Sequence, residues 1–133
     1  MSITGSCLCG EVKFEIDGDF ESFYLCHCKF CQKDTGSAHA SNLFSSTAML
    51  VWKSGRDKIK TYHLPSTKHM KAFCSNCGSA LPSLQMDGKV LAVPAGSLNQ
   101  DISIKPNAHI FTSSRANWEY DLENIMSYEQ LPK

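Results

Sequence analysis

The sequence predicts a mainly β chain of antiparallel strands, and three observations predict it. Short apolar runs alternate with polar residues, Gly, Pro and Asp-Gly signals separate the runs, and helical periodicity is nearly absent. Val12, Phe14 and Ile16 alternate with Lys13, Glu15 and Asp17, the two-residue period of a half-buried strand, and Gly18 supplies a turn. Phe23 and Leu25 carry that rhythm towards Cys26. Strand-like runs follow at Ala38 to Phe44, Met49 to Lys53, Ile59 to Leu64, Met70 to Phe73 and Val90 to Val93. Gly55, Pro65, Asp87-Gly88 and Pro94 punctuate them. Helix is expected only in a turn after Cys31 and over Leu122, Ile125 and Met126, where Asp121 is the candidate cap.

Length bounds the organisation. At 133 residues and 14.7 kDa the expectation is a single domain over 1–133. A compact fold of that mass exposes roughly 6,900 Å² against roughly 21,000 Å² unfolded. Hydrophobic residues at 42% and charged residues at 20% are globular values and exclude a disordered chain. Thirteen basic and thirteen acidic side chains cancel, so neither a nucleic acid nor an anionic membrane is an expected partner. No run reaches the ~18 apolar residues of a spanning helix. Met1-Ser-Ile-Thr-Gly carries neither the charge nor the apolar stretch of a secretory signal, so the expected location is cytoplasmic.

The seven cysteines set the chemistry. They fall as Cys7 and Cys9, then Cys26, Cys28 and Cys31, then Cys74 and Cys77. In a reducing compartment such clusters bind metal or do redox chemistry more often than they form disulfides, and an odd number cannot all pair. Zinc takes four tetrahedral ligands in a structural site and three protein ligands plus an open position in a catalytic one. Two partitions satisfy that rule. The short pairs Cys7/Cys9 and Cys74/Cys77 close one four-thiolate site and leave Cys26, Cys28 and Cys31 as a three-thiolate site. Alternatively Cys28-x-x-Cys31 and Cys74-x-x-Cys77 form a ribbon-like pair. Gly10 and Gly78 each follow a cysteine, where the chain must fold back so that N–H groups can point at sulfur.

Taken in order, several segments carry a family resemblance. They are Gly5-Ser-Cys-Leu-Cys-Gly-Glu-Val, Cys26-His-Cys-Lys-Phe-Cys-Gln-Lys, Gly36-Ser37, Phe73-Cys-Ser-Asn-Cys-Gly-Ser-Ala-Leu, Gly96-Ser-Leu-Asn, and Pro106-Asn-Ala-His-Ile-Phe through Trp118. The chain resembles the glutathione-dependent formaldehyde-activating enzyme family, which includes centromere protein V. The resemblance implies an Mss4-like (β-tent) fold of antiparallel sheets stapled by zinc, with two Zn²⁺. It assigns Cys7, Cys9, Cys74 and Cys77 to a structural zinc and Cys26, Cys28 and Cys31 to a catalytic-type zinc. It also implies carbon–sulfur lyase chemistry of the kind that joins glutathione and formaldehyde as S-hydroxymethylglutathione. One departure stands out: Ala38-His39 occupies the place where the family often carries an aromatic residue.

Zinc held by three thiolates carries a formal charge of about minus one, which makes it a weak activator of water but a good partner for a soft ligand. A small thiol of the glutathione type is the expected partner. With two zinc ions and seven thiolates the metallated protein sits near about minus three. Lys29 and Lys33 bracket Cys31 and favour its thiolate, or are simply solvated. His27, between two ligand cysteines, is expected to point away from the metal. His39 and His109 are candidates for the pocket or for the fourth ligand, and His63 and His69 are expected to be solvated. Trp118 and Phe73 read as core or pocket wall, and Arg115 as an exposed residue or a carboxylate clamp. No catalytic side chain is assigned. Two other functions fit the same residues: a non-catalytic zinc-stapled protein-binding module, and a thiol redox sensor built on Cys26, Cys28 and Cys31.

Overall fold

The alternation at Val12, Phe14 and Ile16 becomes a strand whose inward residues are fully buried while Lys13 and Asp17 face solvent. The computed structural model describes residues 2–132. In chain order its strands are β1 (Ser2–Ser6), β2 (Lys13–Asp17), β3 (Ser22–Cys26), β4 (Ala40–Ser45), β5 (Met49–Ser54) and β6 (Ile59–His63). There follow β7 (Met70–Cys74), β8 (Ala80–Leu81), β9 (Ser83–Gln85), β10 (Val90–Pro94) and β11 (Ala108–Ile110). A single α-helix, α1 (Lys29–Thr35), interrupts them among the described residues.

The strands form three sheets, ordered β1-β2-β5, β11-β3-β4-β10-β9 and β6-β7-β8. Every pairing is antiparallel except that of β11 with β3, which sets His109 beside Leu25 and Ile110 beside Cys26. This is the mainly β, antiparallel architecture the sequence predicts.

One core serves all three sheets. Phe14 and Ile16 from the first, with Val12 just ahead of β2, join Phe23, Leu43, Leu91 and Val93 from the second and Ala72, Cys74 and Leu81 from the third. Leu43, fully buried on β4, stands opposite Phe23 on one side and Val93 on the other. Each large side chain buried this way contributes about 1.5–3 kcal/mol. Gly5 faces Phe14 across β1 and β2, and a Cβ there would lie 2.2 Å from the Phe14 ring. The missing side chain is what lets the Phe14 ring come this close to β1.

Two expectations need correction. The helix begins at Lys29 instead of after Cys31, because the Cys28 sulfur accepts the Cys31 N–H and caps its first turn. Leu122, Ile125 and Met126 do not form an α-helix: Leu122–Asn124 is a short 3-10 turn, and all three apolar side chains are exposed. Asp121 precedes it in the left-handed region and accepts from the Asn124 amide side chain. With no apolar surface to cover, that segment lacks the packing that stabilises most helices. Total exposure is 9065 Å², well above the roughly 6,900 Å² of a compact chain, and the exposed stretch from Trp118 to Leu131 contributes to the excess. No helix among the described residues is long and apolar enough to cross a membrane.

Candidate metal centres

Cys7 and Cys9 lie in the turn from β1 to β2, while Cys74 ends β7 and Cys77 lies in the turn to β8. Both turns are built alike. Cys7 N–H donates to Val12 C=O at 3.0 Å and Cys74 N–H to Ser79 C=O at 3.0 Å; Gly10 and Gly78 then close back onto the carbonyls of Cys7 and Cys74. Gly10 has φ +79° and Gly78 φ +81°, which is why glycine follows the cysteine each time. The glycine N–H groups therefore reach carbonyl oxygens, and it is Val12 N–H that donates to the Cys7 sulfur, at 3.3 Å.

Together the two turns bring Cys7, Cys9, Cys74 and Cys77 into one group whose sulfurs lie within 4.8 Å of one another. Cys7 Sγ is 3.6 Å from Cys9 Sγ, and Cys9 Sγ is 3.9 Å from Cys74 Sγ. A disulfide needs about 2.05 Å. Four sulfurs around a zinc at about 2.3 Å stand about 3.8 Å apart, so the donor set fits that ion. Asn76 Nδ2 donates to Cys9 Sγ at 3.3 Å, and Ser79 Oγ lies 3.2 Å from Cys77 Sγ. The Ser79 hydroxyl, helped by backbone N–H groups, pushes the Cys77 thiol down to about 5. Burial pushes the Cys7 thiol up, but Val12 N–H and the thiols of Cys9 and Cys74 outweigh it and its pKa falls below the ordinary value; burial raises Cys74. Thiolates this close cannot all ionise without a cation between them.

Cys26 at the end of β3, Cys28 at the cap of α1 and Cys31 in its first turn form the second group, again within 4.8 Å. The cysteines thus gather as four and three, and the ribbon-like pairing of Cys28/Cys31 with Cys74/Cys77 does not occur. Burial pushes Cys31 well above the usual thiol range and raises Cys26 as well. Burial also opposes ionisation of Cys28, but the N–H groups of Cys31 and Phe30 and the neighbouring thiols lower its pKa. Within this group Cys28 is the sulfur most readily ionised.

The loop that carries this group is fastened from behind. His27 N–H donates to Ile110 C=O at 2.9 Å, and the Gln32 side-chain amide donates to the carbonyls of His27 and Ser114 at 2.8 and 2.9 Å. His27 points away from the sulfurs, as expected, and its ring is fully buried. Its Nε2 is 2.8 Å from His109 Nδ1 and its Nδ1 is 2.9 Å from Glu119 Oε1. Burial lowers the His27 pKa, against the pull of the Glu119 carboxylate. His39 lies beside it with ring centroids 5.1 Å apart.

Other expectations change. Arg115 is only 22% exposed, lies 3.4 Å from Glu119 and sits over the Tyr120 ring, so it is not a free carboxylate clamp. His69 is not merely solvated: it contacts Asp34 at 2.9 Å, and His63 contacts the Thr67 carbonyl. Trp118 is 59% exposed and is no core residue. Phe73 lies under Lys71, while Lys29 and Lys33 are exposed on α1. Glu119, Gln32 and Ser114 were invisible in the sequence, since nothing in spacing marks a residue that meets its partner more than 80 positions away. Cys31 also lines a cavity of about 100 Å³, with Asp34, Asn42, Met70, Lys71 and Pro94 on its other walls.

A mainly β protein that gathers three and four cysteines into groups able to hold metal ions belongs to the class of small thiolate-site proteins. More narrowly, the chain belongs to the glutathione-dependent formaldehyde-activating enzyme family, whose profile matches residues 2–114. A Halomonas elongata protein named for the same enzyme family is 29% identical over 129 residues, covering 89% of this chain and 80% of that protein. A crystal structure of a Rhodobacter sphaeroides protein superposes with a TM-score of 0.59 at 20% identity, covering 80% of this chain and 98% of the other, and so shares the fold.

Proposed function

We propose that residues 1–133 form one zinc-binding domain that acts as a carbon–sulfur lyase-like enzyme on the adduct of an aldehyde with a small thiol of the glutathione type, in a reducing cytosol. Cys7, Cys9, Cys74 and Cys77 hold a structural zinc in this reading, and Cys26, Cys28 and Cys31 hold a second zinc with one position open. When bound there, zinc supplies a soft Lewis acid that lowers the pKa of a substrate thiol.

The observation that carries the reading is the contrast between the two groups: one has four thiols, the other has three and borders a cavity through Cys31. At about 100 Å³ that cavity is smaller than the ~300 Å³ of a typical ligand pocket. It suits the sulfur and aldehyde carbon, with the rest of a peptide-like thiol lying outside. The chain's own part is to hold the three sulfurs rigidly. Cys31 N–H fixes Cys28, and Gln32 and Ser114 fix the loop at His27. The reaction forms a carbon–sulfur bond from thiolate to carbonyl carbon, the carbonyl π pair moves to oxygen, and that oxygen takes a proton from water.

The testing experiment follows adduct formation between glutathione and formaldehyde by NMR, with parent and Cys28→Ser protein. Acceleration by the parent and none by the variant supports the reading; equal rates reject it. A second reading, a zinc-stapled module that binds a protein partner, is favoured by the exposed Trp118, Tyr120, Ile125 and Met126. It gains if the parent is inactive with every small thiol.

A further inference from the structure

Behind the three-cysteine group lies a cluster that the thiolate chemistry does not use. His27, His39 and Glu119 each offer a ligand atom, and the three atoms lie within 4.8 Å of one another. Four buried polar atoms there have no hydrogen-bond partner: His27 Nδ1, His39 Nδ1, Glu119 Oε1 and Arg115 Nε. Leaving a buried polar atom unmatched costs about 1–3 kcal/mol, and three of the four, the two imidazole nitrogens and the carboxylate oxygen, are atoms that a cation would take.

We propose that His27, His39 and Glu119 form a third metal site, taking a divalent ion of the zinc type, separate from both cysteine groups. The His27 ring argues for it. Its Nε2 is committed to His109 Nδ1 at 2.8 Å, and its Nδ1 approaches Glu119 Oε1 to 2.9 Å without meeting hydrogen-bond geometry. With the proton on Nε2, Nδ1 presents a lone pair towards the carboxylate, and two lone pairs this close need a cation between them. A metal-bound histidine commonly has this arrangement, with the second ring nitrogen donating to a fixed partner.

Two imidazoles and one carboxylate are a known zinc donor set that leaves an open position. Glu119 is only 12% exposed, and Arg115 Nε at 3.4 Å holds the carboxylate from outside, as outer partners hold ligating carboxylates. Glu119 supplies one of the negative charges the ion would need. Glu119 and Arg115 lie beyond the residues that the family profile matches, whereas His27 and His39 lie within them.

The test uses protein whose cysteine groups are already loaded with zinc and freed of loose metal. Equilibrium dialysis against micromolar zinc, read by elemental analysis, should add one ion per chain to the parent and none to His39→Ala or Glu119→Gln. Cobalt added to the same zinc-loaded parent should give weak ligand-field bands without sulfur-to-cobalt charge transfer. If either variant fails to fold, the parent's stoichiometry and cobalt spectrum decide. No added ion would overturn the proposal, and would leave a buried water as the occupant. A third ion retained by both folded variants, or cobalt bands of the sulfur type, would overturn it equally.

Discussion

Cys9 Sγ lies 3.9 Å from Cys74 Sγ although 65 positions separate them in the chain. The contact ties the turn between β1 and β2 to the end of β7, and so joins the first sheet to the third. A metal held at this point would close a long loop that the modest core closes only weakly.

Cys9→Ser and Cys74→Ser should therefore fail to fold or melt far below the parent. Structural zinc contributes on the order of 10 kcal/mol, as much as a whole domain's stability. Thermal melts monitored by circular dichroism check this, and a Cys9→Ser protein that melts like the parent would show that the group is not structural.

Gly78→Ala and Gly55→Ala separate two costs. Gly78 has φ +81° and no atom near a new Cβ, so alanine there should cost only the left-handed backbone strain, about 1–2 kcal/mol. At Gly55, φ +73°, the Cβ would also fall 2.1 Å from the Glu11 carbonyl oxygen, so the loss should be clearly larger. Urea unfolding of the two zinc-loaded variants measures the order; equal losses would contradict it.

Leu43→Ala removes the side chain between Phe23 and Val93 and should cost about 2–5 kcal/mol, with metal content unchanged. Urea unfolding and elemental analysis check both halves. Loss of zinc from the folded variant would mean that the core and the metal groups are coupled.

Glu21 supplies a pH test remote from the cysteines. Ser46 donates to it through its N–H and its hydroxyl, each at 2.8 Å, and these bonds hold its pKa below the ordinary 4.5. A depressed carboxylate adds stability that is present above the unfolded pKa and lost as pH falls through the folded one. The parent should lose stability over that acid window, and Glu21→Gln should flatten part of the slope. Parallel urea midpoints for the two proteins would remove Glu21 from the account.

The strands around Val12, Phe14 and Ile16 and around Leu43 were legible because burial on one face writes a two-residue period. β1, β8, β9 and β11 were not. β8 and β9 are two and three residues long, and β1, Ser2-Ile-Thr-Gly-Ser6, carries one large apolar residue. β11 is held by its pairing with β3 and by Asn107, whose side chain accepts the Phe23 N–H, so tertiary contact makes the strand. The cysteine groups were legible as residues, since spacing and the resemblance named all seven. The network behind them was not, because Glu119 meets His27 only after the C-terminal segment folds back.

The central claim is that Cys26, Cys28 and Cys31 hold a metal with a position open to a thiol. Its most direct measurement is the visible spectrum of protein carrying cobalt in that group and zinc in the other, titrated with glutathione. A saturable growth of sulfur-to-cobalt charge transfer, absent in Cys28→Ser, is the predicted result. A spectrum unchanged across millimolar glutathione and other small thiols would contradict it.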